Sequence, residues 1–239
     1  MHEFELSVMK TIGLLGGMSW ESTVDYYKNI NKMVKERLGG AHSADILLYS
    51  FDFHHIETLQ HKDNWKGLEQ LLVEKALMLE NGGAELIAIC TNTMHLLADQ
   101  VQENISIPLV HIVDATGKAI RTQGLGKIAL LGTKFTMEKG FYKDRLAEKF
   151  GLEVLTPDQQ GRDLIHRIIY DELILGEFKT ASRQKLVEVI GTLVERGSEG
   201  VILGCTELPL LLQQDHLTTP VFDTTLIHST EIVNRALDS

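Results

Sequence analysis

Cys90 and Cys205 are the only two cysteines in a chain of 239 residues. Each closes a short apolar run: Glu85-Leu86-Ile87-Ala88-Ile89 before the first, Gly200-Val201-Ile202-Leu203-Gly204 before the second. Small or polar residues that suit the first turn of a helix follow, Thr91-Asn92-Thr93 and Thr206-Glu207. Each thiol is therefore expected where a buried strand ends and a helix begins. Ligands of parallel α/β sheets bind at the carboxyl ends of strands, and a helix N-terminus lowers the pKa of a nearby thiol. Two thiols on opposite faces of one carbon can invert it. A thiolate removes a proton from one face and a thiol returns one to the other, so one partner must be ionised and the other protonated. A single free cysteine is also ordinary core material; the matched surroundings are what argue for chemistry.

The elements that hold these residues repeat. Thr11-Ile12-Gly13-Leu14-Leu15-Gly16 near the start is echoed by Lys127-Ile128-Ala129-Leu130-Leu131-Gly132. The two closing glycines lie 116 residues apart and the two cysteines 115. Both cysteine runs follow a Gly-X-Glu step, and both precede a Pro-hydrophobic step, Pro108-Leu109-Val110 and Pro220-Val221-Phe222. A fixed period across several landmarks marks an internal repeat. Apolar runs alternating with helical patterns predict parallel sheets. The expectation is an α/β chain of two similar domains related by a pseudo-twofold axis, with one cysteine each and the active site between them. The first domain is expected over 1–114, joined by the C-terminal segment 216–239, and the second over 115–215. The polar stretch from Asp52 to Asn64 reads as a loop, and residues 1–8 as a short extension.

Other candidates are weaker. Gly13-Leu14-Leu15-Gly16-Gly17-Met18 lacks the spacing of a phosphate loop; it reads as a tight turn, either ordinary or with backbone NH groups approaching a carboxylate, and Ser19 continues it. His54, His55 and His61 match no standard metal spacing, so no metal is expected. His95 follows Cys90 and suits either a site or a structural role. Arg162 opens a helix in the second half, where it could meet a substrate carboxylate. A formal charge of −10 argues against a nucleic-acid partner. No apolar run approaches the roughly 20 residues of a membrane span. Two cysteines without a secretory pattern or a cysteine framework fit the cytoplasm.

Lys10-Thr11-Ile12-Gly13-Leu14-Leu15-Gly16-Gly17-Met18-Ser19, Cys90-Thr91-Asn92-Thr93-Met94-His95 and Gly204-Cys205-Thr206-Glu207 together resemble the aspartate/glutamate racemase family, most closely its bacterial broad-specificity amino-acid racemases. The resemblance runs from Met9 onward. It implies a cofactor-independent amino-acid racemase with an interdomain site, usually a homodimer, in which Cys90 and Cys205 transfer the proton. It also implies substrate contacts from Met18, Thr91 and Asn92, and from Thr93, Thr206 and Gln60; Ser19, Arg162 and Glu207 complete the candidate set. Aspartate-specific members carry an arginine after the second strand, and Asp52 to Gln60 contains none. A broader or different amino acid is therefore expected. The competing readings are a dicarboxylic-acid isomerase or decarboxylase of the same superfamily, and a non-catalytic small-molecule sensor.

Overall fold

The structure is a computed structural model that describes residues 9–238. The proposed extension over residues 1–8 lies outside the described residues. In chain order the elements are β1 (Ile12–Gly16), α1 (Trp20–Leu38), β2 (Ile46–Ser50), α2 (Phe53–His61), α3 (Trp65–Asn81), β3 (Leu86–Ile89), α4 (Ala98–Asn104), β4 (Leu109–Val110), α5 (Ile112–Thr122) and β5 (Lys127–Gly132). Then follow α6 (Lys134–Glu138), α7 (Gly140–Phe150), β6 (Glu153–Leu155), α8 (Gln159–Asp171), α9 (Thr180–Glu195), β7 (Val201–Gly204), α10 (Leu208–Leu211), β8 (Val221–Asp223) and α11 (Thr224–Leu237).

The strands form two four-stranded sheets of identical design, β2-β1-β3-β4 and β6-β5-β7-β8, with all pairings parallel. Repeated glycine and cysteine landmarks thus fall on corresponding strands, β1 with β5 and β3 with β7. The inner strands are buried along almost their whole length, as expected of a parallel sheet covered on both faces.

In the first sheet, Ile12, Leu14, Leu86, Ala88 and Cys90 share one face with Tyr26, Ile30 and Val34 of α1 and with Ile232, Val233 and Ala236 of α11. The period of two along a strand puts Cys90 on that face. In the second sheet, Ala129, Leu131, Val201, Leu203 and Cys205 pack with Ile165, Ile168 and Ile169 of α8 and Leu186 and Ile190 of α9. Ile128, Leu130, Ile202 and Phe222 occupy the opposite face with α5 and α7.

The chain divides into two compact units. Among the described residues, one gathers 9–90, Leu97–Val110 and 228–238; the other holds Thr91–Leu96 and His111–Ile227. The expected boundaries were 114/115 and 215/216. Strand 221–223 instead pairs with β7, which keeps the chain in the second unit into the first turn of α11. The stretch expected as a loop between Asp52 and Asn64 carries α2. Asp52 caps it by accepting from the His54 amide at 3.1 Å, and the buried Ile56 and Gln60 are four residues apart on one face. No helix among the described residues is long and apolar enough to cross a membrane.

Candidate active site

Within the first unit, β1 and β3 lie side by side in register, Leu15 opposite Ile89, so the turn after Gly16 and the residue after Ile89 meet at one sheet end. That residue is Cys90, a free thiol with no exposed surface. The turn is built tightly. Gly17 has φ +82°, and a Cβ there would collide with the backbone of Phe51. Only glycine accepts both demands. The Gly17 amide donates to Thr23 Oγ1 at 2.8 Å, and Thr23 Oγ1 donates to the Ser19 carbonyl at 2.9 Å. Ser19 caps α1, its Oγ accepting from the Ser22 amide. Met18 is buried beside it and Gln60 is buried in α2. The sequence-expected contacts of this half thus include a side chain already used as a helix cap, Ser19.

Within the second unit, β5 and β7 repeat the arrangement with Gly132 opposite Gly204, which sets Thr133 beside Cys205 at the sheet end. Thr93 Oγ1 bonds Thr133 Oγ1 at 3.1 Å, and Thr133 bonds Thr136 at 3.2 Å, a buried group of three hydroxyls. Asn92 Nδ2 donates to Thr224 Oγ1 at 3.0 Å, and Thr224 Oγ1 donates to the Leu203 carbonyl at 2.8 Å. Because the Thr224 proton is spent on that carbonyl, its oxygen accepts, which fixes the Asn92 amide with Nδ2 toward Thr224. Asn92 Oδ1 is buried without a partner. An unpaired buried acceptor costs about 1–3 kcal/mol, so it marks a place where a donor is wanted.

His95 resolves to a structural role. Its Nε2 accepts from the Ile112 amide at 3.1 Å, so Nδ1 carries the proton and donates to the Thr91 carbonyl at 2.7 Å. Those bonds belong to a 3₁₀ turn over Thr93–Leu97, and α4 begins only at Ala98. The α-helix N-terminus expected directly after Cys90 is absent, and Thr91–Leu96 group with the second unit. After Cys205 the helix is the four-residue α10, too short for a developed dipole. The expected lowering of the thiol pKa is therefore overturned. Burial pushes the Cys90 thiol up. Burial pushes Cys205 up as well, and the Glu207 carboxylate adds to it. Cys205 Sγ donates to Glu207 Oε2 at 2.9 Å, and Thr206 Oγ1 donates to the same oxygen at 2.9 Å.

Arg162 does not join this group. Its Nε bonds Glu138 at 2.9 Å, Nη1 the Pro157 carbonyl at 2.7 Å and Nη2 Gln159 at 2.7 Å. A guanidinium committed on every nitrogen has little left for a substrate carboxylate. Thr133 was missed in the sequence, although it follows Gly132 as Gly17 follows Gly16. Among the described residues, no group of three or more His, Cys, Asp or Glu side chains is placed to hold a metal ion.

Each parallel α/β sheet thus has a buried free thiol one residue beyond the end of an inner strand. The chain belongs to the Asp/Glu/Hydantoin racemase family, whose model matches residues 15–232. It is 52% identical to a Yersinia pestis protein of the Asp/Glu racemase type, with TM-score 0.91 over 96% of this chain and 100% of that one. An aspartate racemase homologue from Pyrococcus horikoshii is 38% identical, with TM-score 0.83 over 96% of this chain and 100% of that one. The broad specificity amino-acid racemase RacX of Bacillus subtilis is 24% identical over 89% of this chain and 92% of its own length.

Proposed function

We propose that the protein is an amino-acid racemase that inverts Cα by two-base proton transfer between Cys90 and Cys205, without pyridoxal phosphate. The observation that carries this reading is the paired placement of the two free thiols, each one residue beyond or beside the end of an inner strand in sheets of the same order. One sulfur, as thiolate, takes the α-hydrogen as a proton. The electron pair moves into the substrate carboxylate as an enolate, which donors at the strand ends stabilise. The other sulfur, as thiol, protonates the opposite face. The scheme requires both sulfurs to reach one Cα from opposite sides.

Buried thiols resist ionisation, so the free protein holds both protonated at neutral pH, and substrate binding must supply the charge that makes one thiolate tolerable. A substrate ammonium does this, and Asn92 Oδ1 is the acceptor we assign to it. The amides of Met18, Thr91 and Thr206 and the hydroxyl of Thr93 are assigned to the carboxylate.

Specificity is proposed to be broad, or directed at an amino acid other than aspartate. The helix α2 that follows β2 carries histidines and Gln60 but no arginine for a side-chain carboxylate, and the name of the Bacillus subtilis relative points the same way. We place the enzyme in the cytoplasm as a homodimer.

The test is incubation of L- and D-amino acids in deuterium oxide with chiral chromatography and mass detection. Deuterium is expected at Cα of the inverted product, and Cys90→Ser and Cys205→Ser are each expected to lower inversion by at least about a hundredfold. A single variant that keeps near-full inversion in both directions rules out the two-base scheme.

A further inference from the structure

The two thiols differ in one respect that the racemase reading leaves unused. Cys205 Sγ and Thr206 Oγ1 both donate to Glu207 Oε2, each at 2.9 Å, and all three residues are buried. A thiol is a weak donor, and a buried carboxylate is among the strongest acceptors it can meet. The bond exists only while sulfur keeps its proton. A thiolate at that distance would face the carboxylate as a like charge in a poorly screening medium, and together with burial this outweighs the backbone amides of Glu207 and Leu208, whose hydrogen bonds favour the thiolate. For Cys90 the cause of its raised pKa is burial, and its backbone amide is tied into the sheet through the Leu15 carbonyl at 2.9 Å.

We infer that Glu207 is a positioning residue that divides the labour between the two cysteines: it holds Cys205 as the thiol, so Cys90 is the sulfur that must ionise to begin turnover. The inference deepens the two-thiol reading and rests on it for its kinetic part. Cys90 first gives its own proton to water; the thiolate then takes the α-hydrogen as a proton, and the C–H electron pair passes into the carboxylate as an enolate. The Cys205 S–H then delivers its proton to the other face of Cα, its bonding pair staying on sulfur. The thiolate so formed lies beside the Glu207 carboxylate. That neighbour makes it a stronger base and favours return of a proton, from the substrate in reverse turnover or from water.

The first measurement is ultraviolet thiolate absorbance against pH in a Cys90→Ser background, which reports Cys205 alone. Glu207→Gln is expected to lower the Cys205 midpoint by about one pH unit or more, a tenfold gain in thiolate at a given pH. Glu207→Asp, which keeps the charge, is expected to return it toward the parent value. A midpoint unmoved in Glu207→Gln overturns the inference. The wild-type infrared spectrum provides a check independent of how the variants fold. One of its two S–H stretches should lie at lowered frequency, and two bands at the free-thiol frequency overturn the inference.

In the kinetic arm, the alkaline limb of kcat/KM in Glu207→Gln is expected to move down by about one unit with the acid limb fixed. Both limbs moving together, or neither, overturns the division of labour. The titration does not depend on catalysis. A failure of the racemase reading would instead appear as inversion surviving the loss of one cysteine while the Glu207 effect on Cys205 stays intact.

Discussion

The carboxyl ends of β3 and β7 hold the same atom in different company. Cys90 has no exposed surface and follows a strand whose neighbouring turn is all glycine, methionine and helix cap. Cys205 shares a carboxylate with a threonine hydroxyl one residue away. Repetition of the fold therefore delivered two sulfurs, while local substitution after each strand made them chemically unequal. Two-base inversion needs one acid and one base at a time, and the proposed mechanism draws both from this unequal pair.

The widest test of that comparison is to remove each sulfur in turn. Cys90→Ser and Cys205→Ser should each lower inversion by about a hundred- to ten-thousand-fold, the range for losing a positioned proton-transfer group. Chiral chromatography measures it; unequal residual exchange between the two variants would sharpen the asymmetry.

Next in size is a pH contrast between the units. In the first unit, His228 Nε2 donates to the Val110 carbonyl at 2.7 Å, and its Nδ1 accepts from Tyr26 Oη at 2.8 Å. Burial brings its pKa down to about 4, the Val110 carbonyl and Glu231 opposing it. The unfolded chain binds the proton first as pH falls, because its histidine titrates near 6.5. This contribution to stability is thus complete above about pH 6.5 and is lost between there and pH 4, by roughly 3 kcal/mol. In the second unit, burial pushes the Asp114 pKa up, but Arg145 and Lys149 prevail and hold it below the ordinary value. Its stabilising share persists until pH falls through that lowered pKa. Hydrogen exchange at pH 5 should therefore show the first unit losing protection before the second, and the opposite order would break the contrast.

A smaller effect concerns Asn92. Asn92→Ala should raise KM about tenfold with a lesser change in kcat, about 1–2 kcal/mol for one charge-assisted bond. An unchanged KM would remove Asn92 Oδ1 from the proposed ammonium site. The smallest effect belongs to Arg162. Arg162→Ala should leave kcat and KM within about twofold and lower stability by under about 1 kcal/mol, because its charge partner Glu138 is at the surface. A large rise in KM would return it to the substrate.

Strand ends were legible because strand termination depends on nearest neighbours. Apolar runs of four to six residues closed by Gly16, Cys90, Gly132 and Gly204 became β1, β3, β5 and β7. The histidine-rich α2 was not legible, since polar residues mask a helix whose buried face is only Ile56 and Gln60. Arg162 looked available because a sequence displays a charge without the Glu138, Pro157 and Gln159 atoms that fold around it.

By itself the sequence determined the twofold pattern and the thiol at each inner strand end, because periodicity and strand termination are local and survive as spacing. Only tertiary structure decided how completely those thiols are buried, the tautomer of His95 and the orphaned oxygen of Asn92. Each depends on which groups from distant segments exclude water from a given atom, and no count of residues along a chain encodes that.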